Sequence, residues 1–171
     1  EYKDATFAIF GYDSDIDEYF FHSAHNTWSD ANGAYRGLSR FSGKKPKATI
    51  LLLKDYRIED ADTYAISSLG VNLDIDLNGH SITVTTAEKT FLSANIGKAN
   101  TNNIRVFGKE GSALINESAY TPFINLGTSG TGAVGSVTNY TFEGITFKYG
   151  AGSNSGVLVA QTFNMKSTDN T

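Results

Sequence analysis

Asn72-Leu73-Asp74-Ile75-Asp76-Leu77 alternates apolar and acidic residues with a period of two. That is the signature of a β-strand with one dry and one wet face. Asn103-Ile-Arg-Val-Phe-Gly and Asn139-Tyr-Thr-Phe-Glu-Gly repeat it as Asn, apolar, polar, apolar, a variable residue, then Leu or Gly. Thr49-Ile-Leu-Leu-Leu is an earlier copy without the Asn, and Asn164-Met-Lys-Ser a fainter later one. The copies begin 23 to 36 residues apart, inside the window of roughly 20–50 residues that marks repeat architectures.

Each unit is built of period-two stretches and turn residues, with no helical stripe, so each is expected to consist of strands. Ile50, Leu73, Ile104 and Tyr140 should stack in one inward column, and Leu52, Ile75, Val106 and Phe142 in the next. Second strands are expected at Ser81-Ile-Thr-Val84, Ala113-Leu-Ile115 and Ile145-Thr-Phe147. Third strands are expected at Thr90-Phe-Leu-Ser93, Pro122-Phe-Ile-Asn-Leu126 and Gly156-Val-Leu-Val159. Three short strands per unit describe an all-β, right-handed parallel β-helix. Asn72, Asn103 and Asn139 should mark its equivalent corners, since Asn tolerates left-handed backbone better than other non-glycine residues. Asn78-Gly79 places His80 just after a tight turn.

Residues 1–43 read differently. They hold ten of the 21 aromatic residues, which implies an apolar surface to be covered. Ala5-Thr-Phe-Ala-Ile-Phe10 reads as a short strand. Trp28, Ala31, Tyr35 and Leu38 line one face of a helix expected over 27–41, with Thr27 as its N-cap, Asp30 near its positive end and Gly43 at its stop. Gly33 and Gly37 weaken that helix, so packing must hold it. Residues 1–47 are therefore an expected N-terminal α/β cap, with Trp28 as its anchor. Residues 48–171 are expected to be the first turns of the repeat, cut from a longer protein.

Composition narrows the function. Fourteen Lys and Arg against 18 Asp and Glu leave a formal charge of −4, which argues against a nucleic-acid partner. The short cluster Lys44, Lys45 and Lys47 around Pro46 does not reverse this. Zero Cys excludes disulfides and thiolate chemistry in this chain. No apolar run approaches the 18 or more residues of a membrane-spanning helix.

Trp28-Ser-Asp-Ala31, Ala48-Thr-Ile-Leu-Leu-Leu-Lys-Asp55 and Leu73-Asp-Ile-Asp-Leu-Asn-Gly-His-Ser-Ile82 together resemble the start of a pectate-lyase-like (pectin-lyase-like) β-helix module of bacterial cell-surface proteins. The resemblance implies export, an extracellular or cell-surface location and contact with polysaccharide or host glycans. It names no substrate, and a shared fold is weak evidence of function.

Several side-chain sets invite a chemical reading. Asp13-Ser-Asp-Ile-Asp17-Glu18 spaces Asp13, Asp15 and Asp17 as an oxygen-only calcium loop would, although Glu18 replaces the required Gly and Ala24 the bidentate Glu. The competing reading is a solvated acidic loop. Asp74 and Asp76 point outward together and suit calcium or an acid/base pair, but Arg105 should fall opposite Asp74 and make a charge ladder. His22 and His25 are three apart, as on one helical face. Asn116-Glu-Ser and Asn139-Tyr-Thr match the glycosylation triplet. Two Gly/Ser/Thr/Asn-rich stretches, 94–102 and 127–136, should gather on one flank, where solenoids often bind. The expected function is a monomeric, non-catalytic, structural or adhesive module. The alternative is the N-terminal part of a polysaccharide lyase or glycoside hydrolase with its catalytic residues in later turns.

Overall fold

The computed structural model describes residues 2–13, 15–38, 48–58, 66–67, 73–85, 91–93, 102–118, 123–125, 138–149, 158–159 and 165–168. The chain opens with a hairpin, β1 (Phe7–Asp13) and β2 (Glu18–His25), followed by helix α1 (Trp28–Leu38). Thirteen short strands follow among the described residues in a repeating order: β3 (Ala48–Leu52), β4 (Tyr56–Ile58), β5 (Ile66–Ser67), then β6 (Leu73–Asp76), β7 (Ser81–Val84) and β8 (Leu92–Ser93). Next come β9 (Asn102–Phe107), β10 (Ala113–Asn116), β11 (Ile124–Asn125), β12 (Thr138–Glu143), β13 (Thr146–Tyr149), β14 (Leu158–Val159) and β15 (Met165–Thr168).

The strands form three sheets. The largest runs β15-β12-β9-β6-β3-β1-β2; the two smaller run β13-β10-β7-β4 and β14-β11-β8-β5. From β3 onward each strand pairs in parallel with the strand three positions along. β1 is antiparallel to both its neighbours, β2 and β3.

The strands do not make the expected all-β, right-handed parallel β-helix. The leading sheet is mixed, because the aromatic N-terminal segment adds two antiparallel strands to it. Helix α1 contributes Trp28, Ala31, Tyr35 and Leu38 to the same hydrophobic core as the strands. Among the described residues no closed solenoid is seen; what is described is a small α/β fold of one mixed and two parallel sheets around one helix. The stacking columns also shift by two residues at their first member: Ala48, not Ile50, opposes Leu73, and Ile50 opposes Ile75. Asn139 pairs with Asn103 and Tyr140 with Ile104, while Asn72 lies outside the described residues.

The core lies between the sheets. Leu73, Ile75 and Leu77 from the first, with Ile104, Val106 and Phe142 in register behind them, meet Ile58, Ile82, Val84 and Leu114 from the second. Phe91 and Phe123, just ahead of β8 and β11, complete it. Burying each such side chain is worth about 1.5–3 kcal/mol, and the parallel register repeats the contribution strand after strand.

Helix α1 starts where its cap predicts, with Thr27 Oγ1 accepting from the Asp30 N–H at 3.1 Å. Trp28 seats it. Its ring stacks on Phe91 at 5.2 Å and leans on Phe7 at 5.3 Å, its Nε1–H donates to the Phe91 carbonyl at 3.1 Å, and its backbone N–H donates to Tyr56 Oη at 3.2 Å. The helix is described to Leu38; Phe41, Gly43 and the Lys44–Lys47 cluster fall outside the described residues.

Candidate functional site

The tight corner at Asn78-Gly79 shows how local chemistry fixes the sheet faces. Both residues take the left-handed conformation (φ 51° and 84°), as a mirror-image turn requires. The His80 N–H closes the turn on the Leu77 carbonyl at 2.8 Å. Asn78 Nδ2 donates to the Leu52 carbonyl on one side at 3.2 Å, and Ser112 Oγ accepts from the Gly79 N–H on the other at 2.8 Å. This corner therefore ties three successive strand sets together.

With the corner set, period-two alternation sends Leu73 and Ile75 inward and Asp74 and Asp76 outward. The register then carries one outward row across six strands: Phe21, Phe10, Thr49, Asp74, Arg105 and Thr141. A neighbouring row holds Leu51, Asp76, Phe107 and Glu143. At about 4.8 Å per strand, the first row spans roughly 24 Å.

Charge on this face is paired across strands. Arg105 donates to Glu143 Oε2 from Nε at 2.9 Å, its terminal nitrogen lies 2.7 Å from the same oxygen, and Asp74 is 3.7 Å away. The guanidinium also lies 4.0 Å from the Phe107 ring centre. Asp76 Oδ1 accepts from the Asn78 N–H at 2.8 Å. The Asp74–Arg105 ladder accounts for these acids. A second ion pair, Arg57 with Glu117 at 2.7 Å, crosses the β4-β7-β10 sheet; the Arg57 hydrogen bond holds the Glu117 carboxyl below its ordinary range.

The hairpin end of the row is aromatic. Phe10 and Phe21 meet edge to face at 5.9 Å, Tyr2 stacks on Phe21 at 5.1 Å, and Tyr12 leans on Tyr19 at 5.1 Å. On the opposite face Phe20 lies over Gly11, where any side chain would collide with its ring. These rings are not a covered core: Tyr19 is 56% exposed, and Phe20 and Phe21 are each 44% exposed. The expectation that the N-terminal aromatics cover an apolar surface holds for Phe7, Trp28 and Tyr35 but not for β2. The signal for this was present in Tyr19-Phe20-Phe21, since three consecutive aromatics on a strand cannot all face one side.

The acidic loop is the tip of this hairpin. Asp13 pairs with Glu18. Asp13 Oδ1 accepts from the Asp15 N–H at 2.9 Å, and the Tyr12 hydroxyl donates to Asp17 Oδ1. That hydrogen bond is the first cause of a raised Tyr12 pKa, with burial second. Asp17 itself is left-handed, at φ 56°. Among the described residues no group of three or more His, Cys, Asp or Glu is placed to hold a metal ion. The Asp13 and Asp17 carboxylates each accept a hydrogen bond within the hairpin tip, to which Asp15 contributes its backbone N–H.

His22 and His25 sit in β2, not on a helix; His25 Nε2 lies 2.9 Å from Ser23 Oγ, and burial lowers its pKa. Asn116 is 0% exposed and its Oδ1 accepts from the Ser118 N–H at 2.8 Å, so in the folded chain it presents no glycosylation site. The stretches 94–101 and 127–136 lie outside the described residues. No helix among the described residues is long and apolar enough to cross a membrane.

No family model, curated protein or solved structure matches this chain.

Proposed function

We propose that this chain is a non-catalytic, adhesive binding module of a cell-surface protein, and that its exposed aromatic hairpin contacts carbohydrate. The observation that carries the reading is the set of rings Phe10, Tyr12, Tyr19 and Phe21 laid side by side on a strand pair, with Tyr2 packed against Phe10 and Phe21 from the segment before it. A pyranose ring presents a flat face of C–H groups, and the negative face of an aromatic ring is its natural partner. Strands hold such rings more rigidly than loops do. Next to the rings, in register, come the Thr49 hydroxyl and the carboxylates of Asp74 and Asp76, which accept hydrogen bonds from sugar hydroxyls. An open face of this kind suits a chain-like ligand lying across strands. The surface location rests on the likeness of the Trp28, Ala48 and Leu73 blocks to bacterial surface modules.

A glycan array probed with the labelled chain tests this. Binding to at least one glycan class is expected, falling ten-fold or more in Tyr19→Ala and Phe21→Ala with thermal melting unchanged. An array without hits, or hits indifferent to both substitutions, overturns the reading.

A further inference from the structure

We infer that the glycan taken by the hairpin face is cationic, an oligosaccharide of amino sugars with free ammonium groups. This inference rests on the carbohydrate reading above and specifies its ligand. Residues 4–35 contain six Asp and Glu and no Lys or Arg, while the rest of the chain sets all 14 of its Lys and Arg against the other 12 acids. The net negative charge thus falls in the segment that carries Phe10, Tyr12, Tyr19 and Phe21, with Lys3 just outside it beside Tyr2.

Within that segment the placement is specific. Asp13, Asp15, Asp17 and Glu18 occupy the tip of the hairpin, and the register partners Tyr12 and Tyr19 stand immediately beside it. The Tyr12–Asp17 hydrogen bond fixes ring and carboxylate next to each other. Asp15, Asp17 and Glu18 are exposed, so their charge acts outward even where single oxygens serve the turn. An amino sugar meets both parts at once: its C–H face lies on a ring and its ammonium meets a carboxylate or the negative ring face. Further along the outward rows, Asp74, Asp76 and Glu143 outnumber Arg105, which Glu143 and Asp74 already hold. A uronic-acid chain would meet like charge at the hairpin tip and a net excess of it around Asp74, Asp76 and Glu143, whereas a cationic chain is steered toward both.

The test is calorimetric titration of the whole chain with three hexasaccharides: (1→4)-linked glucosamine, its fully N-acetylated counterpart, and galacturonate. It is run near pH 5.5 at 20 and 300 mM NaCl. The glucosamine hexamer is expected to bind at least ten-fold more tightly than the acetylated one, with galacturonate not binding. That preference should shrink at least three-fold at high salt and in the double variant Asp15→Asn/Glu18→Gln, whose fold is checked by thermal melting. Equal binding of the free and acetylated hexamers, a preference indifferent to salt and to the double variant, or tighter binding of galacturonate, overturns the inference and leaves the carbohydrate reading standing. No binding of any hexamer, together with an array free of hits, removes both.

Discussion

Arg105 stands opposite Asp74 in the parallel register of β6 and β9, yet its closer partner is Glu143, one strand further on at 2.7 Å. One guanidinium thus spans three adjacent strands of the large sheet, with Phe107 beneath it. Parallel strands give each other no short-range connection, so cross-strand side chains are what locks their register from outside.

Removing that clasp should cost little but measurably. Arg105 is 43% exposed along its side chain, and exposed ion pairs contribute about 0.2–1 kcal/mol. Arg105→Ala is expected to lower stability by about 1 kcal/mol in urea unfolding, ring contact included. Glu143→Gln should account for most of the electrostatic part and Asp74→Asn for less, in keeping with 2.7 against 3.7 Å. Equal losses for the two would contradict the geometry.

Trp28 fastens the helix to the strands by packing and by hydrogen bonding at once. Trp28→Ala should therefore cost about 3–5 kcal/mol, as large-to-small changes of buried aromatics do. Trp28→Phe keeps much of the apolar contact with Phe7 and Phe91 but leaves the Phe91 carbonyl without the indole donor, a loss of about 1–3 kcal/mol. Chemical denaturation of both variants checks the order; a Phe variant as damaged as the Ala variant would show that the hydrogen bond outweighs the packing.

Two glycines should respond in opposite directions to Ala. In helix α1, a Cβ at Gly33 meets nothing within 4 Å, so Gly33→Ala should gain about 0.5–1 kcal/mol by helix propensity alone. Gly144 has φ +64°, and a Cβ there would lie 2.5 Å from the Gly108 carbonyl oxygen. That is a backbone clash in a left-handed position, so Gly144→Ala should cost about 1–3 kcal/mol. Thermal melts of the pair decide it.

The parts of this fold legible in the sequence are those where burial imposes a strict period. Leu73 to Leu77 separated inward from outward residues, the Asp74–Arg105 opposition followed from aligning copies, and Ser81–Val84 came out with both its ends as observed. Alignment by apolar content alone misplaced Thr49-Ile-Leu-Leu-Leu by two residues, because the residue buried opposite Leu73 is Ala48, too small a side chain to stand out as the first apolar member of the copy. The antiparallel pair β1–β2 was hidden for another reason. β2 is exposed from Glu18 to His22, so no core constrained its pattern; the helix beside it was legible from its apolar face, but not that helix and hairpin would join the strands in one mixed fold. β4 and β5, of three and two residues, are too short to show any period. The candidate site was half legible: Tyr19-Phe20-Phe21 on a strand could not all be buried on one face, but only geometry reveals that Tyr19 and Phe21 as well as Phe20 are exposed.

Tyr35 makes the stability of this molecule sensitive to alkali. It is 1% exposed, and its hydroxyl, like the Asn32 Oδ1 three residues earlier, has no hydrogen-bond partner among the described residues. Burial pushes its pKa far above the ordinary value of 10.0, since a phenolate in the core would be desolvated and unpaired. Below pH 10 both folded and unfolded chains keep the proton, and stability does not depend on this group. Above pH 10 the unfolded chain loses the proton while the folded one retains it, so stability falls as pH rises, by about 1.4 kcal/mol per pH unit for this residue. Tyr12, held by Asp17, and Tyr149, raised by burial, act in the same direction. Tyr35→Phe should therefore flatten the loss of stability between pH 10 and 12 relative to the parent chain. At pH 7 the same change removes an unpaired buried hydroxyl and should be neutral or stabilising by up to about 1 kcal/mol. Urea midpoints at pH 7, 10 and 11 read both effects; a Phe variant that is weaker at pH 7 and just as alkali-sensitive would mean that the hydroxyl has a partner and that other groups control the alkaline limb.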